Sequence, residues 1–141
     1  MGGRRMEANE LMLGDWVYLS KTHKYSIQVV LLDEDECHLN FIGNEVEPFE
    51  GNFGENGVQP IPLTREMLLE NGFTKFVDGY QNLSYNYMVD NNLVLHISDW
   101  EDEGLKAVIG GKFRKLKYVH ELQHILRLIG LSEMADNFKI K

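Results

Sequence analysis

His120, Glu121 and His124 stand in the order H-E-x-x-H on a segment, residues 116–130, that carries a strong helical pattern. Residues four apart project from one face of a helix, so both imidazoles could reach one zinc ion. The glutamate between them could then act as general base on the bound water. The pattern predicts a metal-dependent hydrolase or, equally, the outer surface of an ordinary helix.

Three features favour the surface. In a chain of 141 residues with 5 histidines, chance supplies the pattern in about one or two shuffled sequences per hundred. The extended form of the motif needs glycine at 127 and a third histidine at 130, where this chain has Arg127 and Gly130. Glu133 and Asp136 are the only later acids. At about 100° per residue, Tyr118, Val119, Leu122, Ile125, Leu126 and Ile129 form an apolar stripe. His120 and His124 then point roughly opposite, beside the cationic Arg127, which is a poor neighbour for a metal ion. We read them as two solvent-facing histidines and assign no catalytic, cofactor-binding or metal-binding residue.

The other candidates are weaker. Residues 99–104 open like a calcium loop, but its twelfth position is Gly110 instead of glutamate. Residues 33–36 read as a solvated acidic turn. Cys37 and His38 are adjacent on a predicted strand and face opposite ways, which argues against a nucleophile–base pair. His96 alternates with apolar neighbours as a half-buried strand residue. Lys112, Arg114, Lys115 and Lys117, interleaved with Phe113 and near Tyr118, could track a phosphate backbone and stack bases. They equally describe an edge strand whose cations discourage aggregation. The formal net charge of −8 favours the edge strand.

These residues are positioned by a clear series of elements. Strands are expected at residues 16–19, 25–32 and 37–42, separated by tight turns, with an irregular loop at 49–57. They form a small, antiparallel, barrel-like part over residues 1–59. Pro60-Ile61-Pro62 is a stiff connector, and Thr64 caps a short helix that Gly72 ends. Strands follow at 83–89, 93–97 and 105–109, with a weaker one at 75–77. Gly110-Gly111 then breaks the pattern before residues 113–116, and the closing helix runs over about 117–129. Leu128 and Leu131, off the main stripe, offer a small self-association patch that does not decide oligomeric state. Residues 60–141 thus make a helix–antiparallel sheet–helix part, the closing helix covering the sheet. The two parts are expected to form one compact α+β unit.

Bulk composition bounds the rest. The 43% hydrophobic content is that of a globular chain. Cys37, the single cysteine, allows no internal disulfide and favours a reducing compartment, so the expected location is the cytoplasm. No apolar run reaches the roughly 20 residues of a membrane span. Met6 could be a second start, which would set residues 1–5 apart.

Leu13-Gly14-Asp15-Trp16-Val17, Pro60-Ile61-Pro62-Leu63-Thr64 with Gly72-Phe73, and Tyr118-Val119-His120 with Leu122-Gln123 occur in that order. Together they resemble a family of small uncharacterised proteins of Bacteroidetes and their phages or other mobile elements. That resemblance implies no activity, cofactor or site residue. It does imply that Glu121 and His124 replace a usual Gln and Asn, so H-E-x-x-H is a private substitution on an existing helix. The expected function is an accessory or protein-binding role with an unknown protein partner and no membrane. A zinc-dependent hydrolase and a nucleic-acid-binding module are the alternatives.

Overall fold

The computed structural model describes residues 11–12, 14–18, 26–32, 36–41, 49–52, 59–100 and 103–140. The chain is α+β with antiparallel sheets, and it divides into two compact units. One joins Met1–Pro62 to Tyr118–Phe138, and the other joins Leu63–Lys117 to Lys139–Lys141. Of the turn expected at 33–36, residues 33–35 lie outside the described residues and Glu36 is already in a strand; the turn expected at 43–44 also lies outside them.

In the first unit, β1 (Trp16–Tyr18), β2 (Ser26–Leu32), β3 (Glu36–Phe41), β4 (Phe49–Asn52) and β5 (Gln59–Pro60) pair antiparallel in the order β4-β3-β2-β1-β5. Among the described residues no closed barrel is found. Two expectations shift here. Residues 49–52, read as loop because of their glycine and asparagine content, pair with β3, Phe49 lying opposite Leu39. Pro60, read as connector, lies opposite Val17 on an edge strand, where a missing N–H is tolerated.

Helix α2 (Val119–Leu128) belongs to this first unit, not to the second sheet as expected from its position in the chain. The Val119 N–H donates to the Ile61 carbonyl at 2.8 Å, satisfying an orphan donor of the helix start. The Tyr118 N–H donates to Glu121 Oε1 at 2.9 Å, half of a capping box. The side chain that ties the helix to β1 is Gln123, which is fully buried. Its Oε1 accepts the Trp16 N–H at 2.9 Å, and its Nε2 donates to the carbonyls of Gly14 at 3.0 Å and Ala135 at 2.8 Å. Val17, Ile61, Val119, Leu122, Leu126 and Ala135 are buried around it. The chain then turns at Gly130 (φ +89) with Leu131 N–H bonded to the Leu126 carbonyl and Gly130 N–H to that of Arg127, a Schellman ending. Helix α3 (Ser132–Asp136) follows. The N-cap of α3 is Leu131, with Ser132 as its first helical residue.

In the second unit, Thr64 caps α1 (Arg65–Glu70) through its hydroxyl, which accepts the Met67 N–H at 3.2 Å. The helix ends in the same Schellman arrangement at Gly72. Phe73 folds back so that its ring meets that of Tyr87 at 5.5 Å. Then come β6 (Thr74–Val77), β7 (Leu83–Val89), β8 (Asn92–Trp100), β9 (Gly104–Ile109) and β10 (Lys112–Leu116), a meander in sequential order. Asp90-Asn91 and Gly110-Gly111 are two-residue hairpin turns with φ positive at both positions. The glycine pair therefore joins two strands where a break or bulge was expected. One sheet face buries Tyr85, Leu95, Ile97, Leu105, Ala107 and Leu116.

Replacing Gln123 with Leu keeps the volume but leaves the buried Trp16 N–H without its acceptor. We expect a loss of about 3 kcal/mol in denaturant unfolding, against under about 0.5 kcal/mol for the exposed Leu128→Ala. A loss below about 1 kcal/mol for Gln123→Leu would contradict the anchoring role.

Candidate functional site

The three residues of H-E-x-x-H all lie on α2. Each has a structural task. His120 is buried, not solvent-facing, and its ring stacks on Tyr118 at 5.9 Å. Glu121 caps the helix start. His124 turns to Asp15, whose side chain is fully buried: His124 Nε2 lies 2.5 Å from Asp15 Oδ2, and Arg127 Nη1 donates to Asp15 Oδ1 at 2.6 Å. The Met12 N–H gives Asp15 Oδ2 a further bond at 2.8 Å. Arg127 Nη2 also reaches Asp136 at 3.1 Å. A buried carboxylate is tolerated when its lone pairs are filled in this way.

The expectation of two histidines on an open helix face is therefore corrected. The helical wheel locates the main apolar stripe correctly, but the segment holding Gly14, Asp15 and Trp16 lies along the adjoining face. Gly14 (φ +88) sits so close that a Cβ there would lie 2.6 Å from Asp136 Oδ1 and 2.9 Å from Arg127 Nη2. Among the described residues no group of three or more His, Cys, Asp and Glu side chains is arranged to hold a metal ion.

The cationic strip also comes apart. Strand alternation puts Lys112 and Arg114 on one face of β10 and Phe113 with Lys115 on the other. Lys117 follows the strand, so the four cations do not line one groove. Of the calcium-loop reading, Asp99 and Trp100 belong to β8, and residues 101–102 lie outside the described residues.

The second sheet supplies what the motif search missed. Its register puts Phe76, Ser84 and Ser98 in one cross-strand row and Asn86, His96 and Phe113 in the next but one, all on the face opposite the core. Trp100, two residues beyond Ser98, shares that face. All of these but Asn86 line an open cleft of about 880 Å³, completed by Arg65, Asp78, Gln81, Asn82, Leu83, Asp99 and Glu103. Three aromatics stand half-exposed around it: Phe76 (54%), Trp100 (44%) and Phe113 (56%). Phe113 meets Trp100 edge-on at 5.8 Å, and Lys106 Nζ lies 4.6 Å from the Trp100 ring centre. Both contacts fix the indole, which stays half-exposed.

The polar lining is internally held. Asp99 takes a two-pronged ion pair from Arg65, at 2.6 and 2.7 Å. That hydrogen bond holds the Asp99 carboxyl below its ordinary range, against the opposing effect of burial. Asp78 accepts the N–H groups of Tyr80 and Asn82 and the Asn82 amide, which fixes the turn between β6 and β7. Glu103 accepts from Lys106 at 2.9 Å.

His96 bonds Asn86 Oδ1 at 2.6 Å and Ser98 Oγ at 3.2 Å. Hydroxyl, imidazole and amide in that order make a nucleophile–base–orienter relay. Acyl transfer also needs donors aimed at the developing oxyanion. Ser98 lies on an interior strand, opposite both Ser84 and Lys106, where backbone N–H groups are spent on the ladder. The relay is thus better suited to orient a hydroxyl for binding than to attack. No family model, curated protein or solved structure matches the chain.

The Asp99 pair has a testable pH signature. A depressed carboxyl pKa stabilises the fold fully above the unfolded value, about 3.9, and that gain is lost as pH falls through the folded value. Arg65→Met should therefore lower stability at pH 7, and its difference from the parent should shrink steadily below about pH 4. Chemical denaturation across pH 2–7 measures this. A difference that grows on acidification would contradict the assignment.

Proposed function

We propose that the protein is an accessory binding protein that seats a segment of a protein partner in the cleft of its second sheet. The observation that carries this reading is the cluster of Phe76, Trp100 and Phe113, half-exposed around one fixed polar surface. Leaving three large rings half in water forgoes roughly 1 kcal/mol each, about half the value of full burial, and buried aromatic anchors are the residues that dominate binding energy at interfaces. The proposal refines the expected cytoplasmic accessory role in the phage-associated Bacteroidetes family that the chain resembles. Among the described residues no helix is long and apolar enough to cross a membrane.

The zinc-hydrolase alternative loses support because its proposed base, Glu121, is engaged at the helix cap, and His124 at Asp15. The nucleic-acid alternative loses support because the cations of β10 are split between two faces.

Photo-crosslinking in the native host tests the reading. A photoreactive residue at Phe113 should capture one discrete protein, and the same label at Leu128, far more exposed at 73%, should not. Trp100→Ala should weaken the interaction by at least about 2 kcal/mol, roughly thirtyfold. Equal capture from both positions, or capture indifferent to Trp100→Ala, would overturn it.

A further inference from the structure

The hydrogen-bonding character of the cleft narrows what it can hold. Each of its carboxylates takes a hydrogen bond from within the unit: Asp99 from Arg65, Asp78 from its own turn, Glu103 from Lys106. Two groups of a different kind stay open among the described residues. Neither Trp100 Nε1 nor Arg65 Nη1 has a partner, and both groups can only donate. The amide of Gln81 and the hydroxyl of Ser84 are also uncommitted and can donate or accept. A matching ligand therefore presents acceptors to the indole and the guanidinium.

Charge removes one such class. Three carboxylates line the cleft, and Arg65 and Lys106 offset only two of them, so a phosphate-bearing strand, although rich in acceptors, meets no attracting field. Strand addition would leave the three aromatic rings unused, because they project from the face of the sheet and an added strand pairs along its edge. An uncharged chain that carries carbonyls and apolar rings suits both the open donors and the three half-exposed aromatics. Proline supplies it: each residue has a carbonyl, no N–H and an apolar ring. The polyproline II conformation leaves those carbonyls free of internal bonds and is preformed, so little entropy is lost on docking.

Resting on the cleft being the binding site, we propose that its ligand is a proline-rich peptide in the polyproline II conformation. The proline rings pack on Phe76, Trp100 and Phe113, and peptide carbonyls accept from Trp100 Nε1 and Arg65 Nη1. The turn at Asp78, with Gln81 at φ +65, forms a rigid wall at the β6–β7 end. Basic flanking residues would suit the acidic lining.

The test is a titration of the full chain labelled with nitrogen-15, read at the Ser84 and Ser98 amides and the Trp100 indole N–H. The probes are decaproline, decaproline with two arginines at each end, a ten-residue Gly-Ser peptide, maltohexaose and a ten-nucleotide oligo-dT. We expect saturable shifts with both proline peptides and tighter binding of the arginine-flanked one. Trp100→Phe, which keeps a ring and loses the donor, should weaken binding about fivefold to tenfold, and Phe76→Ala at least as much. No response to either proline peptide overturns the proposal. So does an equal response to Gly-Ser, or affinity unchanged in both variants. Shifts at these positions with maltohexaose or oligo-dT in place of proline would overturn the ligand class and leave the cleft as a binding site.

Discussion

The first unit depends on one side-chain amide. A two-layer arrangement of a small sheet and a helix needs something to fix the helix in position, and apolar contact alone is indifferent to small slides. Gln123 removes that freedom. Its amide takes the N–H of Trp16 and gives hydrogen bonds to the carbonyls of Gly14 and Ala135, so β1, α2 and α3 are held to one register. A buried amide with fewer partners would cost stability instead of adding it. Asp15, one residue before Trp16, then draws His124 and Arg127 onto the same seam. Gln28 closes it from β2 by donating to the carbonyls of Gly14 and Asp136.

This seam gives H-E-x-x-H its meaning. The helix needs an acid near its start, a buried ring beside Tyr118 and a donor to Asp15, and Glu121, His120 and His124 fill those places. Gly14-Asp15-Trp16 lies against Gln123, and the Ile61 carbonyl receives the first N–H of α2. In such an arrangement a motif can be built for assembly without doing chemistry.

Local signals were readable along the chain, and long-range ones were not. Thr64, Gly72, Asp90-Asn91 and Gly130 mark caps and turns through backbone conformations that few residues adopt, so their roles follow from residue type. The strands of the second sheet follow from alternation at Leu83, Tyr85 and Tyr87. By contrast, nothing near Gln123 in the chain indicates that its partners are Gly14 and Trp16, more than a hundred positions away. The closing helix was accordingly assigned to the wrong sheet. The cleft was hidden for a related reason: Phe76, Trp100 and Phe113 sit on three different strands and converge only through cross-strand register. A count of half-exposed aromatics at polar-face positions is the one signal that would have pointed to it.

The claim that most needs testing is that the closing helix and the first strand form one cooperative structure through the Gln123 amide. Native-state hydrogen exchange reads it directly at the Trp16 N–H. If that bond anchors the unit, Trp16 should open with a free energy within about 1 kcal/mol of the Leu126 amide in the middle of α2. A Trp16 amide that exchanges like a frayed strand end, while Leu126 stays protected, would contradict it.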